Sequence, residues 1–236
     1  MKSSTIWVGI ILAAMHVGQA LAADGSGASQ DWPNLSAYAG KNAALGPPAK
    51  DENRIVFMGD SITEFWDKKT SDLFSNKSYI NRGISGQTTP QMLVRFRPDV
   101  ISLKPKVVVI LAGTNDIAGN TGPATIEAIE GNIVSMAELA KANGIKVILS
   151  SVLPAAAFYW IPEIKPAATI VALNKWIKEY ADRNGFVYVD YYSPMVDEKM
   201  GLKREYSGDG VHPNGAGYKV MNPLVESAIL SVLKPR

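Results

Sequence analysis

The chain has 236 residues, a formal net charge of +2, 47% apolar residues and no cysteine. That length and apolar share suit one domain with a continuous core, and the near balance of charge gives no reason for a nucleic-acid or membrane-surface partner. Without cysteine, disulfides, thiolate catalysis, cysteine zinc sites and a lipidated cysteine are excluded.

In chain order, residues 1–22 predict a secretory signal. Lys2 gives a basic start, Ile6–Val17 is largely apolar, and Ala20-Leu21-Ala22 fits the small-x-small cleavage rule. His16, Gly18 and Gln19 interrupt the run before the roughly 20 apolar residues that a membrane span requires. Cleavage near Ala22 predicts an exported protein, periplasmic or secreted. Residues 23–50 are rich in Ala, Gly, Ser, Asn and Pro and predict an extended lead-in. Residues 51–236 then form a single domain.

From there, short β-branched runs alternate with stretches of helical character. The runs Arg54–Met58, Tyr79–Ile84, Lys106–Ala112, Lys146–Val152 and Phe186–Tyr191 predict strands, and Pro90–Ser102, Pro123–Ala142, Pro166–Arg183 and Gly215–Leu233 predict helices. Ile126, Ile129, Ile133, Met136, Ala137 and Ala140 recur at three and four, as an amphipathic helix requires. Asn143-Gly144 and Asn184-Gly185 predict left-handed helix stops. The strands are uninterrupted apolar runs, which favours a parallel sheet covered on both faces. The expected fold is therefore a three-layer α/β/α sandwich with about five parallel strands. Ligands bind such sheets at the carboxyl ends of the strands.

Ser61 follows the apolar run Ile55–Met58 in Gly59-Asp60-Ser61-Ile62-Thr63, where a small residue permits a tight turn. A hydroxyl at the end of a buried strand is where a nucleophile is mounted. His212 is the sole histidine after residue 22, hence the sole side chain there whose unperturbed pKa suits base catalysis near neutrality. Asp209 precedes it by one turn, close enough to hold the Nδ1 proton and leave Nε2 for Ser61. Asn115, in Gly113-Thr114-Asn115-Asp116, carries an amide that can donate to an oxyanion. Gly86, in Asn81-Arg82-Gly83-Ile84-Ser85-Gly86, offers a backbone N–H where a Cβ would obstruct approach. Each feature alone has a bland use: Asp-x-x-His caps loops, and Gly and Asn form turns. Asp60 and Asp116 are expected to pin their loops. Phe65, Trp66, Tyr159 and Trp160 fit either a substrate cleft or ordinary packing.

Four blocks in this order resemble the SGNH hydrolases, also called GDSL-like lipases and esterases: Gly-Asp-Ser at 59–61, the Gly86 block, Gly-x-Asn-Asp at 113–116 and Asp-x-x-His at 209–212. The resemblance covers roughly residues 50–233. It implies a flavodoxin-like fold and a serine esterase with neither metal nor cofactor. It makes Ser61 the nucleophile, His212 the base, Asp209 its partner, and the Ser61 and Gly86 N–H groups with the Asn115 amide the oxyanion hole. The chain has no Gly-x-Ser-x-Gly elbow, which argues against the α/β-hydrolase fold. Asn81 to Phe96 and the Asp-Gly-Val-His-Pro-Asn segment are similar to the branch holding platelet-activating-factor acetylhydrolase subunits and carbohydrate acetylesterases. That similarity implies a short acyl group, acetyl first, on a saccharide. A lysophospholipase or broad arylesterase stays open, as does an inactive exported carbohydrate-binding protein. No Gly-x-Gly-x-x-Gly or Walker loop follows a predicted strand, so a nucleotide-binding domain lacks its phosphate cradle. One histidine and scattered carboxylates make no recognisable metal-ligand set.

Overall fold

The five apolar runs are strands in the computed structural model, which describes residues 31–70 and 72–234. They are β1 (Ile55–Gly59), β2 (Tyr79–Gly83), β3 (Val107–Leu111), β4 (Lys146–Ser150) and β5 (Val187–Val189). All pair in parallel, in the order β2-β1-β3-β4-β5. The helices are α1 (Ala39–Leu45), α2 (Ser61–Glu64), α3 (Trp66–Lys69), α4 (Thr89–Asp99), α5 (Thr114–Ile117), α6 (Ile126–Ala142), α7 (Ala167–Asn184), α8 (Tyr192–Met195) and α9 (Gly215–Leu233). The predicted signal at residues 1–22 lies outside the described residues. Among the described residues no helix is long and apolar enough to cross a membrane.

Alternate strand residues face opposite layers, so an uninterrupted apolar strand serves two cores. Val56, Met58, Val108, Ile110, Val147 and Leu149 pack with Met92 and Phe96 of α4, Ile129 and Ile133 of α6, and Ile170 and Leu173 of α7. Ile55, Phe57, Val107, Val109 and Leu111 pack with Tyr218, Met221, Val225 and Ile229 of α9. Each such side chain contributes about 1.5–3 kcal/mol when fully buried. The result is the three-layer α/β/α sandwich.

Local signals set the helix ends. Thr88 and Gln91 form a capping box at α4, the Thr125 hydroxyl accepts from Ala128 N–H at α6, and Asn214 Oδ1 accepts from Ala216 and Gly217 N–H at α9. Past α6 and α7, Gly144 (φ +71°) and Gly185 (φ +68°) take the left-handed conformation.

Two expectations about the secondary structure differ from what is observed. The lead-in is not extended throughout, because Ala39–Leu45 forms α1. Alanines favour the helix, and polar contacts dock it: Asn42 Nδ2 donates to Asp99 Oδ1 at 2.7 Å, and Arg82 Nε donates to Asn42 Oδ1 at 2.9 Å. The helix predicted to run to Ser102 stops at Asp99. Val100 leaves helical geometry (φ −126°, ψ −67°), and Ile101–Leu103 forms a separate 3₁₀ turn.

Candidate active site

The carboxyl ends of β2, β1 and β3 are level, with Gly59 of β1 paired to Gly83 of β2 and Leu111 of β3. Gly59 has no room for a side chain. A Cβ there would meet Thr63 Oγ1 at 2.1 Å and the Leu111 carbonyl oxygen at 2.8 Å. The chain therefore turns tightly from β1 into α2, where Asp60 Oδ1 caps the helix by accepting from Ile62 N–H at 2.9 Å. Ser61 is the first residue of α2 and is 8% exposed.

His212 and Asp209 lie on the loop that runs into α9. Asp209 Oδ1 accepts from His212 N–H at 2.8 Å and Val211 N–H at 2.9 Å, which shapes the loop; Oδ2 meets His212 Nδ1 at 2.8 Å. The other ring nitrogen, Nε2, lies 2.9 Å from Ser61 Oγ. An ionised carboxylate only accepts, so the ring proton belongs on Nδ1 and Nε2 is free to accept from the serine. Partial burial opposes ionisation of Asp209, but the hydrogen bonds from His212 and Val211 outweigh it and hold its pKa below the ordinary value.

Asn115 is the second residue of α5, at the carboxyl end of β3. Its Nδ2 donates to the Gln87 carbonyl at 3.1 Å and lies 3.4 Å from Asp60 Oδ2, beyond ordinary hydrogen-bond length. Its Oδ1 accepts from Asn120 Nδ2 at 2.9 Å. Gly86 follows β2 with φ +77°. The nearest atom to a Cβ there is Asn120 Nδ2 at 3.9 Å. The left-handed backbone is by itself a reason for glycine at this position. Among the described residues neither Ser61 N–H nor Gly86 N–H donates to a protein acceptor.

Asp60 and Asp116 do pin loops. Asp116 accepts from Thr89 N–H at 3.0 Å and Thr89 Oγ1 at 2.6 Å, tying α5 to α4. Burial raises the Asp116 pKa, opposed by the Thr89 bonds. Burial pushes Asp60 up to about 6, opposed by Ile62 N–H and His212.

The four aromatic candidates separate. Phe65 lies beside His212, ring centroids 5.6 Å apart, and shares with Tyr159, Lys68, Lys69, Asp209 and His212 a cleft of about 680 Å³. Tyr159 is 62% exposed. Trp160 stacks on Phe158 at 5.0 Å and donates its indole N–H to Asn120 Oδ1 at 3.3 Å. Trp66 is not in the cleft. It is 1% exposed, stacked on Tyr218 at 5.4 Å and bonded to Asn222 Oδ1 at 2.7 Å, so it belongs to the core. Helical direction explains this: Phe65 and Trp66 are neighbours in sequence and project from different sides.

Sequence reasoning overlooked the support behind these groups. Arg95 is fully buried; its guanidinium donates to Arg82 O at 2.8 Å, Gly59 O at 3.0 Å, Asp99 Oδ2 at 3.0 Å and Gln87 Oε1. Gln87 in turn donates to Pro33 O at 2.8 Å. The missed signal was spacing: Met92, Arg95, Phe96 and Asp99 share the inward stripe of α4, where a charged pair on an apolar face marks a buried network. Among the described residues no group of three or more His, Cys, Asp or Glu could hold a metal ion.

A level parallel sheet carrying a serine, a histidine and an aspartate in hydrogen-bond series defines an α/β/α protein of the hydrolase type. The chain belongs to the GDSL-like lipase/acylhydrolase family, whose sequence profile matches residues 57–220. It is 54% identical to a GDSL-like lipase from Bacteroides thetaiotaomicron of known structure, with a TM-score of 0.84 over 86% of this chain and 100% of that one. It is 39% identical over 82 residues to the uncharacterized lipoprotein YqeF of Bacillus subtilis, 34% of each chain. Over 108 residues it is 31% identical to human platelet-activating factor acetylhydrolase IB subunit alpha2, 44% of this chain and 45% of that one. The chain thus spans about a third and under half of these two relatives' lengths.

Proposed function

We propose that this protein is a serine esterase that cleaves short-chain carboxylic esters, acetyl esters of saccharides first among them, through an acyl-enzyme on Ser61. The carrying observation is the unbroken series Ser61 Oγ, His212 Nε2, His212 Nδ1, Asp209 Oδ2, with contacts of 2.9 and 2.8 Å. His212 takes the Ser61 proton as Oγ attacks the ester carbonyl carbon. Negative charge builds on the carbonyl oxygen, and the N–H groups of Ser61 and Gly86 with the Asn115 amide receive it. Each such donor contributes on the order of 10²–10³ in rate. His212 then gives its proton to the departing alkoxide, leaving the acyl group on Ser61. Water enters, loses a proton to Nε2, and attacks the acyl carbon; the proton returns to Ser61 Oγ as the acid leaves. Asp209 keeps the Nδ1 tautomer and stabilises the imidazolium in both halves.

An acetyl preference is supported by the acetylhydrolase relative. A saccharide leaving group is supported by the wide cleft with Phe65 and Tyr159 on its walls. Export is supported by the basic, apolar, small-x-small order of residues 1–22 and by the relative named a lipoprotein. The test is the initial rate of the purified protein and Ser61→Ala on p-nitrophenyl acetate through p-nitrophenyl decanoate. Turnover should be fastest on acetate and fall with chain length. Ser61→Ala should lower kcat by about 10⁴-fold or more. Equal activity in the variant would remove Ser61 as nucleophile, and a preference for long chains would favour a lysophospholipase.

A further inference from the structure

Asn120 follows α5, outside every sequence block that defined the site, and engages both its amide donor and its amide acceptor. Its Nδ2 donates to Asn115 Oδ1 at 2.9 Å and to Gly86 O at 3.2 Å, while its Oδ1 accepts from Trp160 Nε1 at 3.3 Å. Only one orientation of the amide works. Reversed, its oxygen would face two carbonyl oxygens and its NH₂ would face the indole N–H. Its backbone N–H also donates to Asn115 O at 3.0 Å.

The consequences fall on two residues from different loops. With Oδ1 captured, the Asn115 side chain must turn Nδ2 the other way, toward Gln87 O and Asp60. With its carbonyl captured, Gly86 is held in a left-handed conformation that glycine enters and leaves easily. One side chain therefore couples the loop after β2 to the loop after β3. Through Trp160 it also couples both to the segment that carries Tyr159.

We propose that Asn120 is a positioning residue of the oxyanion hole, holding the Asn115 amide and the Gly86 loop in register. This rests on reading Asn115 and Gly86 as oxyanion donors. A preorganised hole acts on the transition state more than on the bound ester, so loss of Asn120 should appear in kcat rather than KM.

Kinetics on p-nitrophenyl acetate with Asn115→Ala, Asn120→Ala, Asn120→Asp and the Asn115→Ala/Asn120→Ala double variant test this. Asn120→Ala should lower kcat by about tenfold and leave KM within about twofold. Asn120→Asp keeps the shape and the acceptor for Trp160 but turns an oxygen toward Asn115 Oδ1 and Gly86 O; kcat should fall at least as far. In the double variant the losses should be less than multiplicative, because Asn120 acts partly through Asn115. Full rescue by aspartate would assign Asn120 to packing alone. Wild-type kcat in Asn120→Ala, or fully multiplicative losses, would overturn the positioning role while a slow Asn115→Ala leaves the oxyanion reading standing. Wild-type kcat in Asn115→Ala would overturn that reading, and this proposal with it.

Discussion

The indole N–H of Trp66 donates to Asn222 Oδ1 at 2.7 Å, fastening the chain just past Ser61 to the helix just past His212. A second bond runs beside it, from the Tyr218 hydroxyl to Ile62 O at 2.7 Å. Ser61 and His212 are 151 residues apart, yet their flanking helices are joined twice by buried hydrogen bonds. Alignment of Ser61 with His212 thus rests on α9 as well as on the sheet.

Trp66→Phe should therefore act on stability and not on substrate affinity. Phenylalanine keeps most of the stacking on Tyr218 but leaves the buried Asn222 oxygen without this donor, at a cost of about 1–3 kcal/mol. For a chain of this size each kcal/mol lowers Tm by about 2–4 °C. Calorimetry should show that drop with KM for p-nitrophenyl acetate unchanged. A variant with normal Tm and a raised KM would return Trp66 to the substrate cleft.

Asp60 predicts a pH dependence of stability with a definite sign. Burial raises its pKa from 3.8 to about 6, so between those values the folded carboxyl holds a proton that the unfolded chain has released. Its contribution is full below about pH 4 and is lost as pH rises through about 6, a change on the order of 3 kcal/mol. Asp209 runs the opposite way. Its pKa is lowered, so its contribution is present at neutral pH and lost on acidification. A difference measurement isolates Asp60. Urea unfolding of the natural protein and Asp60→Asn at about pH 4 and about pH 7 should show the gap moving toward the variant as pH rises, because asparagine has no charge to desolvate. The same gap at both pH values would contradict a raised pKa.

What the sequence made legible follows the range over which its signals act. The strands Val107–Leu111 and Lys146–Ser150, and the helix from Ile126, were readable because periodicity and stop residues are local. The order β2-β1-β3-β4-β5 places Ser61, Gly86 and Asn115 on adjacent loops, in line with the rule that such sheets bind ligands at the carboxyl ends of their strands. The four-residue helices α2, α3, α5 and α8 are too short to show a period. Trp66 could not be told from Phe65 because both are aromatic, and only the turn after Ser61 decides which faces inward. Arg95 was within reach through its spacing from Asp99 on one helix, whereas no spacing rule links Gln87 to Pro33, or Asn120 to Gly86 and Trp160.

Tyr159 provides the test of the leaving-group side of the cleft. It is largely exposed and lines the same cleft as Phe65 and His212, so its ring is available to an incoming sugar face. Removing an exposed side chain usually changes stability by less than about 0.5 kcal/mol. A stacked ring is worth about 0.5–1.5 kcal/mol beyond its buried area. Tyr159→Ala should therefore raise KM roughly fivefold for an acetylated oligosaccharide, the middle of that range. Tm and the kinetics on p-nitrophenyl acetate, which carries no sugar, should stay as they are. Equal losses on both substrates would place Tyr159 at the acyl end of the cleft, and no loss on either would take the sugar away from this wall altogether.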